Sequence, residues 1–288
     1  MLQLDNADLK RNGFLPQVED NHYALRLRVA GGYLPADKLQ TVYEIANRYG
    51  KGFVHMTSRQ SVEIPHIKGE DIEAVKRLLA AGGLESGKGG AAVRTITGCQ
   101  GNAVCKSGLI STTELAREFD EKYYGAPRPH KFKIGITGCR NNCLKAEEND
   151  IGIKGGVAPA WDSTSCNYCG ACRNICPANA ITVDKDAQAL IYSKRKCINC
   201  GRCVKVCAKK AWTGKHGFLI YIGGLFGNRI AIGKKIIPIV FDKQDVFRIT
   251  EVIFGFFDAH GKKGERFRNT LDRVGWDLLK KELKAVVK

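Results

Sequence analysis

Residues 97–105 read TGCQGNAVC and residues 137–143 read TGCRNNC, and the chain is organised around these two stretches. They give the spacings Cys99-x5-Cys105 and Cys139-x3-Cys143. Four soft thiolates in two pairs suit one cubane iron–sulfur cluster, because four irons need four ligands and sulfur suits that metal. One helical turn between Cys139 and Cys143 would put both sulfurs on one face. The plain alternative is a zinc site or four buried free thiols, although zinc knuckles favour shorter Cys-x2–4-Cys pairs.

A second cysteine region follows. Cys166-x2-Cys169-x2-Cys172-x3-Cys176-Pro177 recurs as Cys197-x2-Cys200-x2-Cys203-x3-Cys207, 31 residues later (197 − 166). This is the bacterial two-cluster ferredoxin pattern, in which the fourth cysteine of each run serves the other cluster. The expected ligand sets are Cys166, Cys169, Cys172 and Cys207 for one cubane, and Cys197, Cys200, Cys203 and Cys176 for the other. Zinc does not account for four cysteines per run. Ala208 stands where a proline usually follows the second run. All twelve cysteines lie between Cys99 and Cys207 and fall into metal-ligand spacings with none left over. A disulfide framework belongs to small secreted domains, so a reducing, anaerobic compartment is expected instead.

With 288 residues and 44% hydrophobic content the chain can build one large domain or two modest ones. The opening MLQLDNADLKRNG lacks an apolar core, so no secretory leader is expected. The most apolar stretch, 218–227, is too short to span a bilayer and is followed by Arg229, Lys234 and Lys235. A cytoplasmic protein with no membrane span is expected. The formal charge of +17 raises nucleic acid as a partner. No nucleic-acid motif accompanies it, and thiolate-bound cubanes are net negative, so much of the excess Lys and Arg is read as counter-charge for cofactors.

Residues 1–20 are polar and carry no pattern. From His22 to about Leu84 a β-α-β-β-α order suits a ferredoxin-like unit. YALRLRVAGG alternates as a half-buried strand and places Arg26 and Arg28 on one face. Residues 36–49 have helical spacing, with Leu39, Val42, Tyr43 and Ala46 on one side. Residues 53–56 and 61–65 read as strands and 71–81 as a helix. Residues 82–90 are glycine-rich and read as a linker. A helix over 112–123 would be capped by Ser111 or Thr112. In Lys131-Phe132-Lys133 both ammonium groups point to one side of a strand and Phe132 to the other. Residues 241–257 and 270–287 read as helices.

The two TGC stretches, the LRLRVAGG and HMTSRQSVEI segments, the Lys-x-Lys before Cys139 and the GFLIYIGG segment together resemble the sirohaem-dependent sulfite and nitrite reductases. The resemblance runs from about Tyr23 to the C-terminus. It is closest to the small, ferredoxin-containing subunits of anaerobic and dissimilatory-type sulfite reductases. It implies an α+β fold. In that fold a ferredoxin-like half-repeat (1–84) and a sirohaem and 4Fe–4S domain (85–160 and 212–288) enclose an inserted two-cluster ferredoxin module (161–211).

The resemblance also implies the site. Cys143 would bridge the cluster and the sirohaem iron, and Thr57, Arg59, Gln60 and Asn141 would hold the macrocycle. Arg26, Arg94, Lys131 and Lys133 would face the substrate anion, with Arg28 an ordinary solvated arginine. Guanidinium groups suit carboxylates and oxyanions through bidentate hydrogen bonds. The sirohaem carboxylates would absorb more of the positive charge.

The implied cofactors are sirohaem and three 4Fe–4S clusters, and the implied reaction is six-electron reduction of sulfite to sulfide. External ferredoxin or an electron-donating subunit would feed it. Larger enzymes of the family resemble two fused copies of this half, so a homo-oligomer or a related partner subunit would complete the pocket. Lys133 favours sulfite where related nitrite reductases carry Lys-x-Asn. Two alternatives remain open at this point: nitrite reduction to ammonia at the same site, and a non-catalytic electron-transfer subunit that keeps clusters but no haem.

Overall fold

The computed structural model describes residues 5–286. Helix α1 (Asn6–Arg11) leads into β1 (Phe14–Pro16) and β2 (His22–Arg26), followed by α2 (Leu39–Tyr49), β3 (His55–Met56), β4 (Val62–Lys68) and α3 (Ile72–Ala81). The four strands form an antiparallel sheet in the order β1-β2-β4-β3. Alternation along β2 buries Tyr23 and Leu25, and Leu27 continues the pattern beyond it, against Ile45, Ile64, Ile67 and Val75. That alternation leaves Arg26 and Arg28 on the opposite face.

Several expectations for this unit need correction. Residues 5–20 are not featureless. Asp5 caps α1 by accepting from the amide of Ala7, and Phe14 is fully buried opposite Leu25. Helix α2 buries Val42, Ile45 and Ala46, while Leu39 and Tyr43 are exposed, so the apolar stripe is rotated from its expected phase. The glycine-rich 82–90 stretch is not a loose linker. Its Gly87 amide donates to Arg26 at 2.7 Å, and the Arg28 amide donates to Glu85 at 2.8 Å. A Cβ on Gly89 would lie 2.3 Å from the Lys10 carbonyl, so only glycine permits that approach.

The second unit begins with β5 (Thr97–Gly98), α4 (Thr112–Tyr123), β6 (Ile134–Thr137) and the long β7 (Ile151–Trp161). After α5 (Ala171–Asn174), β8 (Ile181–Asp184), β9 (Ala189–Tyr192) and α6 (Arg202–Val206) it continues with β10 (Trp212–Ile222). It closes with α7 (Lys243–His260), α8 (Phe267–Val274) and α9 (Trp276–Lys284). The sheet order is β10-β7-β6-β5. Strands β5, β6 and β7 are parallel, and β10 returns antiparallel along β7 from Ile222↔Ile151 to Trp212↔Trp161. The eight cysteines of the two runs therefore lie beyond the far end of one continuous hairpin.

Phe132 anchors the main core. It is fully buried, with ring centroids 5.1 Å from Phe254 and 5.3 Å from Phe267. The C-terminal helix expected over 270–287 is interrupted: Gly275, at φ 110°, separates α8 from α9. Val287 lies outside the described residues. Among the described residues no helix is long and apolar enough to cross a membrane.

Arg28 is not a solvated arginine. Its Nε donates to Asp120 on α4 at 2.7 Å and its Nη1 to Glu85 at 2.7 Å. Asp120, whose side chain is 2% exposed, also accepts from the Ile96 amide at 3.0 Å. This carboxylate thus clamps the first unit to the second. Removing one partner of a buried pair leaves the other uncompensated, a loss of about 3–5 kcal/mol. Asp120→Ala is expected to lower the urea midpoint of the folded protein by a corresponding amount, and a midpoint equal to the parent's would remove the clamp from the account.

Candidate functional site

Cys99 and Cys139 leave the C-terminal ends of adjacent parallel strands. Gly98 pairs with Ile136, and the Cys99 amide donates to Ile136 at 3.1 Å. The Gly138 amide donates to Cys99 Sγ at 3.1 Å, and the Thr112 hydroxyl donates to the Cys99 carbonyl. That hydroxyl is committed to the loop; neither it nor Ser111 caps α4 through a side-chain bond. The Leu109 amide donates to Gly138 at 2.7 Å, closing the Cys105 loop onto the Cys139 loop. A Cβ on Gly138 would lie 2.9 Å from Gly101 Cα, so both glycines are needed for this approach. The segment from Cys139 to Cys143 is a turn with Asn142 at φ 56°, not the helical turn expected from the spacing. Cys99 and Cys139 are half-buried, and Cys105 and Cys143 are exposed.

Two cavities adjoin this loop pair. One, of about 360 Å³, is lined by Cys143 together with Thr97, Lys145, Glu148 and Asn149. The other, of about 220 Å³, is lined by Arg26, Thr57, Lys88, Arg94 and Lys131. Ser58, Arg59 and Lys133 line both, so they form one crevice. No acidic residue lines the second cavity.

The cations are held by groups at their backs. Arg26 Nε donates to Glu63 at 2.8 Å, and Arg94 donates to the carbonyls of Lys88 and Gly90. Arg59 donates to Asn149 Oδ1 at 3.0 Å and to the Thr95 carbonyl at 2.9 Å. Desolvation pulls the Arg59 guanidinium down to about 10, with Arg94 acting in the same direction. Lys133 falls to about 8, first through desolvation and then through Arg59 and Arg266. Desolvation also lowers Lys131 and Arg94. The crevice is thus a crowded positive site that favours anions.

The remaining expected residues divide. Thr57 lines the cationic cavity, where its hydroxyl accepts from the Ser61 amide. Gln60 uses its whole amide on Gly98, donating to the carbonyl and accepting from the N–H, both at 2.9 Å. Asn141 lines a separate cleft with Cys139 and Cys200 and does not line the crevice of Cys143.

Asp150 and Arg266 were not legible in the sequence. Asp150 is fully buried, accepts from the Lys133 amide at 2.8 Å and pairs with Arg266 at 3.2 Å, fixing the strand that carries both lysines. No local motif marks a pair 116 residues apart.

The two cysteine runs fold as matching loops. Tyr168, Gly170 and Asn179 have positive φ, and so do their counterparts Asn199, Gly201 and Lys210, each 31 residues later (199 − 168, 201 − 170, 210 − 179). Cys166 Sγ accepts from the Tyr168 amide and Cys197 Sγ from the Asn199 amide. One enclosed cavity is lined by Cys166, Cys169, Cys172 and Cys207, and another by Cys176, Cys197, Cys200 and Cys203. Among the described residues no three His, Cys, Asp or Glu side chains form a group that could hold a single metal ion.

Residues 89–288 match the family described as nitrite and sulphite reductase 4Fe-4S domain, and residues 16–82 match the nitrite/sulfite reductase ferredoxin-like half domain. The chain belongs to the nitrite and sulfite reductase family. A coenzyme F420-dependent sulfite reductase from Methanocaldococcus jannaschii is 32% identical over 96% of this chain and 44% of its own length. One of the subunits of an anaerobic sulfite reductase from Salmonella typhimurium is 34% identical over 54% of this chain and 50% of its own. The chain therefore covers half or less of the length of either relative. Among solved structures, dissimilatory sulfite reductase I superposes with a TM-score of 0.74 at 19% identity, covering 91% of this chain and 69% of that one. The fold is that of the family, α+β with a ferredoxin-like half domain.

The Gln60–Gly98 pair predicts a stability effect local to the cluster loop. Gln60→Ala leaves two backbone groups of a buried glycine unpaired, a loss of about 2 kcal/mol or more. A urea midpoint unchanged from the parent would contradict this.

Proposed function

We propose that this chain is the catalytic subunit of a sirohaem-dependent sulfite reductase that reduces sulfite to sulfide. The observation that carries the reading is the crevice that joins Cys143 to Arg26, Arg59, Arg94, Lys131 and Lys133, in which Glu148 is the one acidic residue among the described lining and stands on the Cys143 side. The residues fit the cofactors. Cys99, Cys105, Cys139 and Cys143 supply four soft sulfurs from two loops tied together. Cys143 opens onto a cavity bordered by Arg59, Lys133 and Lys145, which suit the carboxylates of a sirohaem. The buried Nε of Arg94, which lines the crevice, has no hydrogen-bond partner among the described residues. When bound, the coupled haem and 4Fe–4S cluster supply an iron site for the anion and electrons in single steps.

The side chains do the rest. Arg26, Arg94, Lys131 and Lys133 neutralise the bound anion and orient its oxygens. Hydrogensulfite takes six electrons and six protons to give hydrosulfide and three waters. Lys133 Nζ, with its pKa near 8, can hold and release a proton at neutral pH. Thr57 and Arg59 would border the macrocycle, while Gln60 would act at one remove by holding Gly98.

The matched loops support an inserted ferredoxin module over 161–211, flanked by the two parts of the sirohaem domain (85–160 and 212–288) and preceded by the half-repeat (1–84). Two further 4Fe–4S clusters would occupy the two four-cysteine cavities. A cleft lined by both Cys139 and Cys200 supports electron passage from a cluster on Cys176, Cys197, Cys200 and Cys203 to one on Cys99, Cys105, Cys139 and Cys143. Electrons would come from a ferredoxin or a donor subunit in the cytoplasm, and a second copy or related subunit would complete the pocket.

Sulfite and nitrite turnover by the anaerobically purified protein tests the reading, and nitrite as the faster substrate would overturn the sulfite assignment. Lys133→Met is expected to lower sulfite turnover about a hundredfold; full turnover with sirohaem bound would remove Lys133 from the site. The Lys133 charge is present below its pKa and lost above it. Sulfite affinity should therefore weaken as pH rises through about 8, and Lys133→Arg should abolish that weakening. Acid-labile sulfide should number about twelve per chain, and about four would leave only the Cys99–Cys143 cluster.

A further inference from the structure

Behind Cys139 lies a buried charge network. Lys154 sits on β7 opposite Thr137 of β6, and its side chain is 1% exposed. Its Nζ donates to Glu147 Oε1 at 2.8 Å and to the carbonyl of Arg140, the residue after Cys139, at 3.3 Å. Arg140 donates to the same Glu147 oxygen at 3.4 Å and to the Tyr221 hydroxyl. Asn142 donates to the other Glu147 oxygen at 3.4 Å. Arg140 and Asn142, both inside the Cys139–Cys143 turn, thus share one carboxylate with Lys154.

Two cations and one anion leave a net positive charge at this spot. Arg140 alone neutralises Glu147, so charge balance does not require Lys154. A fully buried lysine is rare and expensive in desolvation. What remains in need of compensation is the thiolate cluster itself, which is net negative and becomes more so on reduction. A fixed positive charge in a poorly polarisable interior favours the reduced form.

We propose that Lys154 sets the reduction potential of the cluster held by Cys99, Cys105, Cys139 and Cys143, raising it by holding one uncompensated buried charge behind Cys139. This rests on the cluster assignment under Proposed function. Lys154 is a positioning residue in that it touches no substrate; it acts through charge and through the Arg140 carbonyl.

The test is a redox titration of the holoprotein followed by electron paramagnetic resonance. Lys154→Met should shift the reduced-to-oxidised ratio of this cluster at least tenfold toward the oxidised form, a midpoint lower by about 59 mV or more. Lys154→Met combined with Glu147→Gln restores a single positive charge on Arg140 and should return the midpoint toward the parent value. A role in loop geometry alone predicts the opposite, because the double variant loses more contacts than the single one. Lys154→Gln keeps a donor for Glu147 and carries the same test where Lys154→Met loads its cluster poorly. An unchanged midpoint in a loaded single variant, or a double variant as low as Lys154→Met, would overturn the proposal while leaving the cluster assignment intact. A parent protein lacking this cluster would overturn both.

Discussion

Strands β5 and β6 run parallel and end side by side, so Cys99 and Cys139 emerge from the sheet as neighbours. Two cysteine loops distant in sequence can meet only if backbone approaches backbone closely, and Gly101, Gly108 and Gly138 are where that happens. The amide of Gly138 on Cys99 Sγ and the hydroxyl of Thr112 on the Cys99 carbonyl then fix the loop. The ferredoxin-like half domain adds Gln60, which grips Gly98 from outside the sheet. The thiol set is thus held by contacts from both units, and the Arg28–Asp120 clamp keeps those units in place.

The same ladder positions the positive charge. Lys131 and Lys133 flank Phe132, whose burial among Phe254, Phe257 and Phe267 leaves the two ammonium groups no direction but the crevice. Burial first, and neighbouring cations second, pull Lys133 down to about 8 and Arg59 to about 10. Groups so disfavoured in the absence of an anion gain most when one binds, which is electrostatic preorganisation. Buried Asp150 offsets part of the repulsion from below, where it does not meet a ligand.

Short-range pattern carried much of this into the sequence. The 31-residue repeat of the cysteine runs reappears in the backbone as paired left-handed residues, and the alternation of Lys131-Phe132-Lys133 reappears as burial of the phenylalanine. What the sequence did not show depends on long-range partners. Phe14 is buried because it pairs with Leu25, not because its neighbours are apolar. The stripe of α2 is phased by the sheet beneath it, which selects Val42 and Ile45 over Leu39 and Tyr43. Glu147 and Lys154 look like surface charges in sequence and become interior ones only when β7 occupies the middle of its sheet. The spacing of Cys139 and Cys143 fitted a helix, yet the left-handed Asn142 makes it a turn.

Cys143 and the cation cluster border one crevice, which is proposed to take sirohaem and sulfite together. The most direct measurement is the visible absorption spectrum of the anaerobically purified protein titrated with sulfite. A red tetrapyrrole band that shifts as sulfite binds is expected. Protein with loaded iron–sulfur clusters and no red band, or a red band indifferent to sulfite, would contradict it.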